Sequence, residues 1–296
     1  MGLMTFEKYS KLWLSLGQKS WKPSTYDKNC GIVKTRLKDF ASLDINEIKP
    51  SFIRLWLASI DDVSNKSKKH YISALSGIFT LALQDEVINR NPITFLKSLQ
   101  HTSPRIEPFS NDEVTEILAE SKKYSQNFQI FVRLGFFTGM RTGEIIALKL
   151  KDIDLVSDII SINSTRSRFG EGTPKTAKSM RKVPILRNLR QTLCEFIDSR
   201  KFFSGYLLEN QYNKPYRDSQ IFQDIWSKIL ADLGIKYRRP YTMRHTYATF
   251  MLTNNYVTPV KLAALLGHST PKMIYNVYVN YVNQNLQDFN RDLKLY

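Results

Sequence analysis

A polar stretch with two prolines divides the sequence into two parts that we expect to fold separately. Residues 99–108 are polar and contain both prolines, a composition typical of connections between domains. Ser110 and Glu113 follow at the spacing of a capping box, in which each side chain bonds the other residue's backbone N–H at a helix start. We therefore predict a first domain over residues 1–98, a linker over 99–108 and a second domain over 109–296.

The first domain is predicted to consist of four helices. Apolar residues recur at helical spacing, and the pattern places helices at 5–16, 24–40, 50–60 and from 64 to about 83. Pro50 suits the first turn of the third helix, and Asn91-Pro92 marks the end of the helical region.

The second domain mixes helices with a few strands. Residues 158–163 and 181–185 are rich in β-branched side chains and are predicted to be strands. Between them, residues 168–175 form a predicted loop rich in glycine and charge. Helical patterns occupy 131–137 and 143–150, and helices resume near Leu186 and continue to the C-terminus.

Both parts of the chain are basic. The first 105 residues carry 16 Lys and Arg against 9 Asp and Glu, and the remainder carries 27 against 18, for a net charge of +16. Two basic folded parts, rather than one basic tail, indicate a polyanion held between them, although charge alone also fits ordinary solubility. With 42% hydrophobic residues, the chain has enough apolar side chains for two cores.

The sequence argues against secretion and membrane insertion. It has no run of about 20 apolar residues, and residues 1–11 lack a basic segment followed by an apolar one. Cys30 and Cys194 are the only cysteines, and so wide a separation argues against a disulfide scaffold. We therefore expect a cytoplasmic protein, associated with the nucleoid if its polyanion is DNA.

Four short segments of the second domain contain residues that could take part in catalysis or anion binding: 138–148, 174–181, 241–249 and 266–278. Arg141 lies between glycines at a predicted helix start, where close backbone approach and the helix N-terminus favour an anion. Tyr241 and Arg244 are one helical turn apart and therefore share a face. Taken singly, each segment has an ordinary explanation as surface charge, a solvated basic loop or core.

Taken in order, these segments resemble the tyrosine recombinase (phage integrase) family. The matching elements are Arg-Thr-Gly-Glu at 141–144, a hairpin lysine, Arg-His-Thr at 244–246, Leu-Gly-His at 266–268 and a tyrosine ten residues further on. Residues 64–92 also resemble the last helices of that family's core-binding domain. The resemblance implies a mostly α fold with a small antiparallel β-sheet, in which a helical, SAM-like core-binding domain and a catalytic domain form a two-domain clamp around duplex DNA.

The resemblance also implies roles for the residues that would surround the phosphate. Arg141 and Arg244 would grip the scissile phosphate, and Glu144 would be the supporting acid that orients the site. His268 would donate a hydrogen bond to the phosphate.

The remaining roles concern the bonds that form and break. Tyr278 would be the nucleophile. Lys175 would protonate the leaving 5′-oxygen, because it fits the family's Lys-Thr element better than its rival Lys178. The chain departs from the family at Tyr241, where His is usual. A phenol can donate to a phosphate oxygen, but with a pKa near ~10 it is a poor general base. The group that deprotonates Tyr278 is therefore left open.

Physical chemistry is consistent with the same set of residues. Displacement at a phosphodiester builds negative charge on the nonbridging oxygens, which two arginines stabilise at any physiological pH. A tyrosine nucleophile stores the cleaved bond as an ester, so that rejoining needs neither ATP nor a metal. The sequence has no P-loop and no metal-ligand pattern among its four histidines and two cysteines, and we predict no cofactor.

Double-stranded DNA is the predicted partner. The lysines expected to contact it from the first domain are Lys28, Lys34, Lys66, Lys68 and Lys69. The resemblance implies a homo-tetramer on DNA, in which the amphipathic residues 283–295 would pack on a neighbouring protomer; packing on their own domain is the alternative. Accessory DNA-bending proteins are further candidate partners.

Three other functions compete with a mobile-element integrase. A Xer-like resolvase of chromosome or plasmid dimers has the same chemistry, and the length suits either. A type IB topoisomerase also uses a phosphotyrosine, but the two-domain layout and the Leu-Gly-His element favour a recombinase. A non-catalytic DNA-binding regulator of recombinase descent is supported only by Tyr241.

Overall fold

The chain divides into two compact units, Met1–Pro104 and Arg105–Tyr296. The computed structural model describes residues 4–100, 107–174, 179–268, 270–272 and 274–275. Each unit has its own buried apolar cluster. Residues 101–106 of the predicted linker lie outside the described residues, and the predicted domain bounds stay a prediction.

The first unit is built from four α-helices: α1 (Phe6–Ser20), α2 (Pro23–Gly31), α3 (Pro50–Ser59) and α4 (Asn65–Gln84). Thr5 and Ser64 accept backbone N–H bonds at the starts of α1 and α4, which satisfies donors that a helix N-terminus leaves free. The rings of Phe6, Phe40 and Phe79 are buried and pack with centroids 5.4 and 5.9 Å apart.

The predicted helix over 24–40 is wrong in its second half. α2 ends at Gly31 and is followed by a π-helical turn, Ile32–Arg36, and a short 3₁₀ turn, Lys38–Phe40. Glycine and the β-branched residues after it have low helix propensity. The Thr35 hydroxyl also donates to the Gly31 carbonyl at 2.7 Å, a local bond that competes with the regular helix.

The second unit contains seven α-helices among the described residues: α5 (Asn111–Ser121), α6 (Gln126–Thr138), α7 (Thr142–Ala147), α8 (Arg187–Asp198), α9 (Gln223–Asp232), α10 (Thr242–Thr253) and α11 (Pro259–Leu266). The predicted capping box is confirmed, since Ser110 N donates to Glu113 Oε2 and Glu113 N to Ser110 Oγ.

Within the described part of the second unit, five short strands form two antiparallel sheets: β1 (Ile153–Asp154), β2 (Ile159–Ile162), β3 (Thr165–Ser167), β4 (Gly170–Gly172) and β5 (Arg181–Pro184). The two predicted strands are confirmed and pair as β2 and β5, with Ile160 opposite Val183, in a sheet of order β1-β2-β5. The mostly α fold with a small antiparallel sheet is thus confirmed.

Two local predictions for the second unit are wrong. Residues 170–172, assigned to a loop, form β4 against β3, and Glu171 is held there by Lys149 Nζ at 2.7 Å and by the Tyr206 hydroxyl. Helices also do not run on from Leu186, because residues 199–218 are irregular. Their conformation is stabilised by the buried Glu209, which accepts bonds from the backbone N–H groups of Phe203 and Ser204.

Among the residues that the structure describes, no helix is long and apolar enough to cross a membrane.

Candidate active site

Arg141 and Glu144 form a linked pair at the start of α7. The Arg141 backbone N–H donates to Glu144 Oε2 at 2.8 Å, and Arg141 Nη1 donates to Oε1 at 2.6 Å. The Glu144 side chain is 1% exposed and that of Arg141 is 32% exposed. Burial raises the pKa of Glu144, but hydrogen bonds and charges from Arg181 and then Arg141 outweigh it and hold the pKa below its ordinary value. Glu144 is therefore an ionised, buried acceptor that fixes one edge of a solvent-accessible arginine.

The turn between α6 and α7 depends on Gly139. This residue has a φ of +64°, and a Cβ there would lie 2.5 Å from the Tyr247 ring and 2.9 Å from Leu266. From the sequence, we expected the glycines beside Arg141 to let a ligand approach the backbone closely. At Gly139, what approaches the backbone is instead the protein's own α10 and α11.

Arg244 is 1% exposed and lies on α10. Its Nη1 donates to the Gly139 carbonyl at 2.8 Å, and its Nη2 donates to the Leu266 carbonyl at 2.6 Å. Burial is the main reason that the pKa of Arg244 is lowered to about 10; the charges of Arg141 and Arg181 act in the same direction, while Tyr241 and Glu144 oppose them. The guanidinium stays charged at neutral pH and ties together the segments before α7 and after α11.

His268 follows α11 and contacts Arg244. Its Nε2 lies 3.0 Å from Arg244 Nη2, and since a guanidinium only donates, Nε2 accepts and the proton is assigned to Nδ1. Nδ1 is buried and has no hydrogen-bond partner among the described residues. Burial, followed by the charge of Arg244, lowers the pKa of His268 to about 4. The imidazole is therefore neutral near pH 7.

Arg181 is a buried member of this cluster to which the sequence analysis gave no role. Its Nη2 lies 2.8 Å from Glu144 Oε2 and its Nη1 3.0 Å from Oε1, with 5% of the side chain exposed. A signal for it was present: Arg181, Val183 and Ile185 alternate along β5 with exposed neighbours, so the strand places Arg181 on its core-facing side. A charged residue on such a face needs a buried partner.

Tyr241 lies immediately before α10 and is 41% exposed. Its ring packs edge-on against His245, with centroids 5.1 Å apart. The one-turn spacing thus leaves Tyr241 at the surface and Arg244 in the interior.

Lys175, its rival Lys178 and Tyr278 lie outside the described residues, as do Tyr281 and the predicted tail at 283–295. The described neighbours are Pro174 and Ser179 on either side of the lysines, and Tyr275, which is 48% exposed, on the approach to Tyr278.

The five predicted DNA-binding lysines all lie in the first unit. Lys28, Lys34, Lys66 and Lys69 are exposed on α2, on the π-helical turn and on α4. Lys68 differs, because its ammonium donates to the Leu57 carbonyl at 2.9 Å near the end of α3. A cleft of about 310 Å³ between α2 and α4 is lined by Lys28, Arg36 and His70, among others.

No group of three or more His, Cys, Asp or Glu side chains that could hold a metal ion occurs within the described ranges.

The chain belongs to the phage integrase family. The model of the phage integrase family matches residues 107–285, and that of the phage integrase N-terminal SAM-like domain matches residues 5–60. Together with the fold, this confirms the family resemblance of the sequence: the chain is a member of the tyrosine recombinase (phage integrase) family.

Named relatives and solved structures agree with this assignment. The chain is 24% identical to prophage integrase IntR of Escherichia coli (strain K12), in an alignment that covers 95% of this chain and 77% of IntR. It is 25% identical to the ICEBs1 integrase of Bacillus subtilis (strain 168), in an alignment that covers 93% of this chain and 78% of that integrase. The Tn1549 transposon integrase, in complex with a circular intermediate DNA, has a TM-score of 0.79 at 21% identity, covering 93% of this chain and 95% of that one. The structural likeness concerns the fold.

Proposed function

We propose that this chain is a site-specific recombinase that cuts DNA by transferring a 3′-phosphate to Tyr278 and rejoins strands by the reverse step. One observation carries the proposal. Arg141 is paired with the buried carboxylate of Glu144, while Arg244 contacts His268 and donates to the carbonyl of Gly139, two residues before Arg141, so that donors from segments up to 127 residues apart are gathered in one place. Such a concentration of donors suits the charge that develops at a phosphodiester.

The proposed step exchanges one ester for another. Tyr278 Oη forms a bond to phosphorus and loses its proton, while the bond from phosphorus to O5′ breaks. We assign to Lys175 the proton that the leaving O5′ takes up. Attack by a 5′-hydroxyl on the phosphotyrosine reverses both changes, so the bond energy is retained without ATP.

Each arginine contributes differently to binding the phosphate. Arg141 is one-third exposed and offers its guanidinium directly, with Glu144 fixing its orientation. Arg244 is buried, so it reaches the phosphate only at the floor of the site. His268 is neutral at pH 7, because its pKa is about 4, and acts as a hydrogen-bond donor rather than a cation. Tyr241 supplies a further donor at the rim.

We propose that the recombinase serves a mobile element. Relatives that carry such names include the prophage integrase IntR, the ICEBs1 integrase and a Tn916 transposase from Enterococcus faecalis at 26% identity. A Xer-like resolvase is the second candidate, because a XerC-like tyrosine recombinase of Caldanaerobacter subterraneus is 28% identical over 89% of this chain.

The experiment that tests the chemistry uses a pool of labelled duplexes of randomised sequence. Each is nicked near the centre of one strand, so that a short 5′-hydroxyl fragment diffuses away after cleavage and the protein–DNA ester is trapped. Tyr278→Phe removes only the hydroxyl and should bind DNA without forming an adduct. Tyr275→Phe and Tyr281→Phe are matched controls that should retain cleavage. Digestion of the adduct and sequencing of the modified peptide identify the nucleophile.

Three outcomes separate the alternatives. Phosphate on Tyr278 supports the proposal. Phosphate on Tyr275 or Tyr281 would show that the assigned register is wrong. A parent protein that binds the duplexes and forms no adduct would instead favour a non-catalytic DNA-binding regulator, the function that the unusual Tyr241 suggests.

A further inference from the structure

Arg181 connects three separate parts of the second unit. From the start of β5, its Nη1 and Nη2 donate to the two carboxylate oxygens of Glu144 on α7. Its Nε donates to the Leu265 carbonyl at the end of α11, at 2.5 Å. Nη1 also donates to the carbonyl of Ser179, at 3.1 Å. One planar guanidinium thus fixes α7 and α11 relative to the small sheet.

The turn that carries His268 rests on the same side chain. Gly267 has a φ of +67°, and a Cβ there would lie 3.1 Å from both Arg181 Cδ and the Ser179 Cα. The absence of a side chain lets the Leu266-Gly267-His268 turn lie directly against the stem of Arg181. Arg181 therefore limits how closely this turn packs against β5, and it also fixes the position of Glu144.

Arg181 is poorly placed to touch a substrate itself. Its side chain is 5% exposed, against 32% for Arg141, but burial alone does not decide the question, since Arg244 is only 1% exposed. Each of its three guanidinium nitrogens has a partner within the protein. Any effect on catalysis must therefore pass through the groups that it holds.

We propose that Arg181 is a positioning residue for DNA cleavage, which holds Glu144 so that Arg141 is oriented and seats the turn that carries His268. This inference rests on the proposed strand-cleavage function. Glu144 is shared by two arginines, and removing Arg181 leaves a carboxylate, 1% exposed, with Arg141 as its remaining ion-pair partner among the described residues. Without Arg181, the position of Glu144 is less well fixed, and so is the orientation of Arg141, which bonds Glu144.

The first test compares cleavage by Arg181→Gln and Arg181→Lys with that of the parent. Arg190→Gln is the matched control, because Arg190 makes a similar 2.7 Å ion pair with Asp158 that is almost half exposed and belongs to no part of the site. We expect the single-turnover cleavage rate of Arg181→Gln to fall by about 10- to 100-fold, the size of effect that orienting partners have at metal sites. Arg181→Lys keeps the charge without the two-pronged geometry and should lie in between, with DNA affinity unchanged in both.

The second test asks whether Arg181 acts through Glu144. The cleavage rates of Arg181→Gln, Glu144→Gln and the double variant form a cycle. If Arg181 works by holding Glu144, the double variant is no slower than the slower single variant. Multiplication of the two single effects would overturn the role that Arg181 is proposed to play through Glu144, because it would mean that the two residues act independently.

The third test measures the pH dependence of the cleavage rate, which a purely structural loss would leave unchanged. Glu144 faces Arg141 from the start of α7 and Arg181 from β5, and it also interacts through its charge with Arg244 on α10. Arg181 supplies the largest of the influences that lower the pKa of Glu144, while burial raises that pKa. In Arg181→Gln the Glu144 pKa should rise, so cleavage should weaken as the pH falls through the new value, at a pH where the parent is unaffected. Arg181→Lys, which keeps the charge, should restore much of the parent profile.

The outcomes are distinguishable from failure of the proposed function. If the parent forms no adduct, the strand-cleavage function fails. If the parent forms adduct and Arg181→Gln cleaves at the parent's rate and with its pH profile, the positioning role is wrong. If Arg181→Gln does not fold, Arg181→Lys decides the question. A folded Arg181→Lys that cleaves DNA at the parent's rate would show that the bidentate contact of Arg181 with Glu144 is not required, and the inference would be wrong.

Discussion

The two predicted phosphate-binding arginines occupy different environments. Arg141 is partly open to solvent and donates to Glu144. Arg244 is buried and donates to two backbone carbonyls, at Gly139 and Leu266. Arg141 is therefore mainly a binding group, whereas Arg244 also links segments that are far apart in sequence.

This difference predicts separable effects of substitution. Arg141→Gln should abolish most cleavage and leave the free energy of unfolding nearly unchanged. Arg244→Gln should lose cleavage and also destabilise the protein by about 2–4 kcal/mol, because buried carbonyls left without donors cost about 1–3 kcal/mol each. Urea unfolding of both variants, monitored by tryptophan fluorescence, checks the prediction. Equal stability of the two variants would contradict it.

Two partly buried histidines predict a loss of stability in mild acid. Burial is the main reason that the pKa values of His245 and His268 fall from 6.5 to about 4. The unfolded chain binds these protons below pH 6.5, whereas the folded chain binds them only near pH 4. Their contribution to the free energy of unfolding is therefore complete above pH 6.5 and is lost as the pH falls toward 4.

The measurement is urea unfolding at pH 7 and pH 5. The parent should be less stable at pH 5, and the double variant His245→Gln/His268→Gln should depend less on pH over this interval. An unchanged pH dependence in the double variant would show that other groups are responsible.

At the scale of elements, the site is assembled by helix ends rather than helix faces. Arg141 precedes α7, Tyr241 precedes α10 and His268 follows α11. Helix ends leave backbone groups unpaired, and here the carbonyls of Gly139, Leu265 and Leu266 accept from the buried arginines.

The junction between α6 and α7 should therefore be intolerant of a side chain. Gly139→Ala combines a left-handed backbone with a Cβ 2.5 Å from Tyr247. Gly234→Ala is the matched control, because Gly234 has a φ of +66° and nothing lies within 4 Å of its Cβ position. The control should cost about 1–2 kcal/mol from backbone strain alone. Gly139→Ala should cost clearly more and should also slow cleavage; equal losses of stability in the two variants would contradict the packing argument.

At the scale of the whole molecule, both units contribute to the net charge of +16. A clamp that contacts many phosphates releases many counterions on binding. We expect at least about six phosphate contacts, and since each contributes about −0.9, the slope of log affinity against log salt should be near −5 or steeper. Fluorescence anisotropy across a salt series measures it, and a slope near −2 would contradict the clamp.

The C-terminal residues are proposed to act between protomers. Deletion of residues 284–296 should abolish strand exchange while leaving binding to a single site largely intact, because an amphipathic segment this short is not stable alone. Gel shifts and a two-site exchange assay measure the two properties. Loss of thermal stability in the deleted monomer would instead indicate that the segment packs on its own domain.

Sequence patterns alone predicted the helical character of both units, the strands β2 and β5, the capping box at Ser110 and the membership of the family. The first three depend on patterns over a few neighbouring residues, whereas family membership depends on separated motifs that match in order. The π-helical turn after α2 was missed because the apolar periodicity of residues 24–40 did not reveal the local bond from Thr35 to Gly31. The β3–β4 hairpin was missed because it depends on tertiary contacts, such as those of Glu171 with Lys149 and Tyr206.

How the candidate site is held together depends on contacts between distant segments of the folded chain. The tertiary structure placed Arg244 in the interior and Tyr241 at the surface, although the two are one turn apart. It also brought Arg181 onto Glu144 across 37 residues of chain and onto Leu265 across 84. Periodicity indicates which face of a strand or helix is buried, but the partner of a buried charge depends on which other segment the fold brings opposite to it.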